Sequence, residues 1–161
     1  MTRSGDELRA LMRQWATGVT LVTSQDGRGP HGMTVSSFTS LSLDPPLIMV
    51  SLERGTRTHD MVSQSGRFAV VVLRASQREL AERFAGAIPD AEPRFAGVTY
   101  ETSPAGLPIP SGSLAYLDCE VEQSHPAGTH TIFVGRVLGG AASDGSDPLL
   151  YYNRAYRRLG G

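Results

Sequence analysis

Residues 19–38 read VTLVTSQDGRGPHGMTVSSF. Val19–Ser24 is rich in β-branched residues and alternates, which suits a half-buried pleated surface. Gln25–Pro30 is a turn, so the next extended stretch, around Gly32–Val35, becomes its antiparallel partner. A hairpin here, with no crossover helix between its strands, sets the fold class. Working outward, Leu47–Leu52 (LIMVSL) is a near-continuous apolar run that predicts a strand buried on both faces. Phe68–Leu73 (FAVVVL) is the most strand-like segment of the chain. Ser113–Gln123 and Thr131–Gly139 predict two further strands, Leu149–Tyr152 closes the core, and Asn153–Leu159 reads as a polar tail.

Helices are few. Ser4 and Glu7 have capping-box spacing, and Leu8, Leu11, Met12 and Trp15 follow at helical intervals, so the first element is amphipathic. Thr56–Ser65 predicts a short helix capped by Thr56 or Thr58, and Gln77–Phe84 another that ends at Gly86. Residues 87–112 are rich in proline and glycine and read as a long surface excursion. Six or more strands without a βαβ rhythm predict a mainly β protein: a closed antiparallel barrel with a few flanking helices, residues 1–161 forming a single domain.

Composition narrows the function classes. A formal net charge of −1 recommends neither nucleic acid nor an anionic membrane as a partner. Cys119 is the only cysteine, which excludes an internal disulfide and any multi-cysteine metal site. No apolar run approaches the ~20 residues that cross a bilayer, and the N-terminus lacks an apolar signal core. The expected compartment is the cytoplasm. No metal site is expected, because His31, His59, His125 and His130 share no ligand spacing.

Two segments carry the candidate chemistry. Thr34, Ser36, Ser37, Thr39 and Ser40 cluster where one strand ends and the next begins. Such hydroxyls satisfy their own backbone in a turn, or they cradle a phosphate or planar ring. Ser51–His59 (SLERGTRTH) offers Arg54, Arg57, Thr56, Thr58 and a helix N-terminus within one turn, which is the chemistry of an anion site. Their pairing suggests a phosphorylated ligand. No GxGxxG stands at a strand-to-helix junction, and GxxxxGK[ST] and GxSxG are absent.

Four stretches in colinear order then carry a resemblance: Ala16–Thr23 (ATGVTLVT), GMTVSSFTSLSLDPPL at 32–47, VSLERGTRTH at 50–59 and GTHTIFVGRV at 128–137. Together they resemble the flavin reductase-like family, the small NAD(P)H:flavin oxidoreductases that supply two-component monooxygenases. The resemblance implies a split β-barrel that binds FMN or FAD, takes hydride from NADH or NADPH, and forms a homodimer. It implies that Met33, Thr34, Val35, Ser36 and Ser37 line the flavin. By the same resemblance Ser51, Leu52, Arg54 and Thr58 hold its ring edge and phosphate. Phe84, Ala85 and Gly86 correspond to a loop bordering the ring, and Tyr152 to a nearby aromatic. His130 matches a histidine beside the nicotinamide, implied to position substrate rather than transfer a proton. The chain departs from the family pattern at Glu53 and Val72. A pyridoxamine-phosphate-oxidase-like flavin oxidase and a non-catalytic flavin-binding module remain alternatives.

Overall fold

The computed structural model describes residues 4–160. The chain runs α1 (Gly5–Met12), β1 (Thr17–Gly18), β2 (Thr20–Asp26), β3 (Gly29–Val35), β4 (Thr39–Leu43), β5 (Pro46–Glu53), α2 (Arg57–Ser65) and β6 (Arg67–Val72). It continues through α3 (Arg78–Glu82), β7 (Tyr100–Thr102), β8 (Pro108–Pro110), β9 (Ala115–Ala127), β10 (His130–Ala142), β11 (Leu150–Tyr152) and β12 (Ala155–Arg157). Seven strands make one antiparallel sheet in the order β3-β2-β6-β9-β10-β5-β4, so the protein is mainly β.

The first hairpin forms as its sequence dictates. Asp26 faces Gly29 across a two-residue turn, Gly27-Arg28, and the Asp26 carboxylate accepts the Arg28 N–H at 2.8 Å. Both faces of the central strands are buried. Val22, Phe68 and Val70 join Val50, Leu52, Cys119 and Phe133 in one core. Leu21, Ala69, Val71 and Leu73 pack outward against Ala81, Phe84, Phe95, Leu107 and Leu149. An unbroken run such as Phe68–Leu73 therefore has no solvent side on which to place a polar residue.

No strand pairing joins β3 to β4, so the hydrogen-bonded closure expected from the strand count is not found. The chain itself bounds the gap. Flat, seven strands separate their outer edges by about 29 Å, six spacings of ~4.8 Å. Only Ser36–Phe38 connect β3 to β4, and four Cα steps reach at most about 14 Å. The sheet must curl until its two edges nearly meet.

Other expectations are adjusted too. On β5, Ile48, Val50 and Leu52 are buried, but Leu47, Met49 and Ser51 are only half-buried, so its second face is not closed. β9 and β10 extend through the predicted joining segment to a tight turn at Gly128-Thr129. The polar tail is a hairpin, β11 with β12, that adds β1 as a third strand. The excursion at 87–112 carries the small β7–β8 pair. No helix among the described residues is long and apolar enough to cross a membrane.

Candidate functional site

Ser36, Ser37 and Phe38 belong to no strand, which leaves their backbone N–H groups outside the ladders. Ser37 has a specific task. Beyond Met49, β5 has no β4 partner, and Ser51 turns its free edge toward the bend. Its N–H donates to Ser37 Oγ at 3.0 Å, and the Ser37 hydroxyl donates to the Ser51 carbonyl at 2.9 Å. One side chain thus supplies the pair of bonds that a missing strand residue would make.

The bend opens onto a cavity of about 720 Å³. Val35, Ser36, Ser37, Phe38 and Thr39 form one wall. Met12, Arg13, Trp15 and Thr17, from the end of α1 and from β1, form the second. Tyr151, Asn153 and Arg154 of the terminal hairpin complete it. The helix and hairpin are tied together, since the Asn153 N–H donates to the Arg13 carbonyl at 3.1 Å. Thr17 Oγ1 is buried without a hydrogen-bond partner among the described residues.

The remaining residues singled out in the sequence lie outside this lining. Met33 Sδ takes a weak bond from Thr56 Oγ1 at 3.8 Å, and Thr34 Oγ1 donates to the Ala81 carbonyl at 2.7 Å. Leu52 is wholly buried in the core. Arg54 donates to the carbonyls of Gly128 and His130 at 2.7 and 3.2 Å, bracing the β9–β10 turn. His130 begins β10 opposite Glu53, with Nδ1 2.9 Å from Thr129 Oγ1. Phe84 is buried edge-on against Phe95, Ala85 is exposed, and Gly86 takes a φ of 114° that favours glycine. Tyr152 is partly exposed, its hydroxyl 3.5 Å from Gln14 Oε1.

The anion site expected at the start of α2 exists, but the chain fills it. Thr56 caps the helix, accepting the His59 N–H at 3.3 Å. The Arg57 N–H donates to Asp90 Oδ2 at 2.5 Å. Asp90 Oδ1 lies 3.6 Å from Arg94 Nη2 and 3.8 Å from His31 Nε2. Thr58 is wholly buried, its hydroxyl 3.0 Å from His31 Nδ1. Burial, with Arg94 and Arg57 close by, pushes the His31 imidazole down to about 4. Burial also pushes the Cys119 thiol up to about 12, which rules it out as a thiolate nucleophile.

Comparison with known proteins adds the family. The model described as "Flavin reductase like domain" matches residues 12–160. This chain belongs to that family. It is 38% identical over 148 residues to the reductase subunit HsaB of a flavin-dependent monooxygenase from Rhodococcus jostii, covering 92% of this chain and 74% of that one. It is 40% identical over 151 residues to the FMN reductase (NADH) SmoA of Agrobacterium fabrum, covering 94% and 84%. The solved structure of the NADH:FAD oxidoreductase SgcE6 of Streptomyces globisporus superposes with a TM-score of 0.91 at 32% identity, over 100% of this chain and 98% of that one. Arg13, Trp15, Thr17, Tyr151 and Arg154 of this chain are cavity residues that local motif reading does not find, because they come from the two chain ends.

The buried His31 makes stability depend on pH. Between about pH 6.5 and 4 the unfolded chain holds a proton on this imidazole that the folded chain lacks, so stability falls as the pH falls through that window. The loss reaches about 2–3 kcal/mol near pH 4. Denaturant unfolding at stepped pH measures it, and His31→Asn should flatten that part of the profile. Equal pH dependence in the variant would show that His31 is not held neutral.

Proposed function

We infer that this chain is an NADH-dependent flavin reductase that supplies reduced flavin to a partner monooxygenase. The observation that carries the reading is the 720 Å³ cavity opening on the Ser36–Phe38 bend, in a chain of this family. Its volume lies within the range of small-molecule sites. The residues present fit a flavin: hydroxyls at Ser36 and Thr39, backbone donors free of any ladder, an unpartnered Thr17 Oγ1, and aromatic faces at Trp15 and Tyr151. A bound flavin supplies the ring that accepts hydride from NADH.

What the protein contributes is placement. Ser36 and the N–H groups of the bend hold the polar edge of the ring and favour negative charge there. Val35, Met12 and Trp15 give it apolar walls. Ser37 and Ser51 fix the bend, while Met33, Thr34, Leu52 and Thr58 hold the elements beneath it. Phe84, Ala85 and Gly86 form a bordering turn, with Arg54 bracing the hairpin that carries His130. His130, outside the cavity lining, acts as a positioning group for the nicotinamide substrate. Relatives carrying FMN and FAD in their names support either flavin as cofactor, and NADH is the favoured donor over NADPH.

The curl of the sheet supports a split barrel whose seam is the bend itself, within one domain spanning residues 1–161. A homodimer is the second structural proposal. None of the residues of α1 is buried, and Leu8, Leu11 and Met12 stand exposed with Trp15. A second copy covering that face would remove this apolar surface from water.

Four measurements test these readings. Oxidation of NADH and NADPH with added FMN, FAD or riboflavin should be rapid with NADH, and saturable in a flavin that exchanges; a protein that binds flavin without turnover would be a carrier instead. His130→Ala should cost about tenfold in rate, the ~1.4 kcal/mol of one positioning contact, whereas complete loss with flavin retained would contradict that role. Ser36→Ala should weaken flavin binding several-fold at unchanged stability, while Ser37→Ala should lower stability by about 1–3 kcal/mol through the two unpaired groups of Ser51. Sedimentation should show a dimer that Leu11→Glu splits; a monomeric wild type would refute the dimer.

A further inference from the structure

We propose that Arg13 and Arg154 form a guanidinium rim on the 720 Å³ cavity that binds the pyrophosphate of a dinucleotide, a step that rests on the flavin reductase reading. The first observation is a conformational one. β11 and β12 are joined by two residues, Asn153-Arg154, with φ of 49° and 62°. A turn with both central residues left-handed favours Asn followed by Gly. Asn153 meets that preference and Arg154 does not. An arginine held there costs about 1 kcal/mol relative to glycine, and such outliers point from strain toward function.

The second observation is where the two arginines stand. The Asn153 N–H bond to the Arg13 carbonyl fixes the end of α1 against the turn, and both side chains border the cavity. Arg9, the third arginine of the lining, is already paired with Asp6 at 2.8 Å. Among the described residues neither Arg13 nor Arg154 has a carboxylate within ion-pair distance, and no acidic side chain lines the cavity. Two unneutralised guanidinium groups on one rim of a chain of net charge −1 are a local feature, not part of a general basic surface. Guanidinium forks match paired phosphate oxygens bidentately.

The third observation supplies the rest of the ligand. Trp15 and Tyr151 border the same cavity and are both exposed, giving planar faces against which a purine can stack. A mononucleotide whose ring fills the bend would leave the guanidinium rim unused. A dinucleotide places its pyrophosphate between the guanidinium groups, with one of its rings in the bend and the other on an aromatic face. That dinucleotide is either the flavin in its FAD form or the nicotinamide substrate.

Trp15 is the only tryptophan, so its emission reports binding without turnover. The experiment titrates full-length wild type, Arg154→Gly and Arg13→Gln with FAD, FMN, NAD+ and nicotinamide mononucleotide. Arg154→Gly relieves the turn and should fold at least as well as wild type, which a thermal melt checks. Both variants should lose about tenfold in affinity for one dinucleotide while its mononucleotide counterpart is unaffected. A selective loss for FAD assigns the rim to the flavin, and a selective loss for NAD+ assigns it to the substrate. If all four affinities stay unchanged, or a dinucleotide and its mononucleotide fall together, the rim has no such role. Wild type that binds and reduces flavin, with variants that match it for FAD and NAD+ as well as for FMN, overturns this inference alone; wild type that neither binds nor reduces flavin overturns the reading beneath it.

Discussion

One serine hydroxyl stands where a strand pairing is missing. β5 needs a partner along its outer edge, β4 provides one only as far as Met49, and Ser37 satisfies both backbone groups of Ser51 beyond that point. The same constraint shapes the sheet around it. Because three residues link its two outermost strands, the ladder has to curl, and because they are bent, their own amides remain free. The seam of the sheet and the floor of the cavity are the same residues. A fully hydrogen-bonded closure would have consumed the donors that a ligand requires.

The burial pattern places everything else relative to that seam. β2 and β6 are covered on both sides, so neither can open to admit a ligand. β5 is covered on one side only, and α1 on none. Open apolar surface therefore collects near the chain ends, on α1 and its continuation to Trp15. The terminal hairpin is bonded to that region, and the two together build the wall facing Ser36.

Much of this is legible in the sequence because it is local. The Ser4 capping box, the Asp26 turn, the Thr56 cap and the strand at Phe68–Leu73 each depend on neighbours within a few positions. What escapes is non-local. The number of strands does not say which edges pair, so a closed barrel and a curled open sheet read alike. Asn153-Arg154 does not announce a hairpin, since the glycine that marks such turns is absent. Thr58 has the chemistry of a phosphate ligand, but His31, 27 residues earlier, claims its hydroxyl in the interior. Asp90 sits in a proline- and glycine-rich excursion whose path no periodicity predicts.

Asp90 also decides between two candidate anion sites. At the start of α2 the helix dipole, the Arg57 amide and the Arg94 guanidinium already face a carboxylate. A phosphate entering there must first expel that carboxylate, along with the segment holding it against buried His31. The expulsion leaves Asp90 to be resolvated and gains only what its own contacts had supplied. At the cavity rim no such exchange is needed, because among the described residues Arg13 and Arg154 face no acid and Thr17 Oγ1 has no partner. The first is a local arginine-bearing segment at a helix start, whereas the second is assembled from the two ends of the chain. They also differ in whether the fold has answered their charge, and the one left unanswered opens onto the bend.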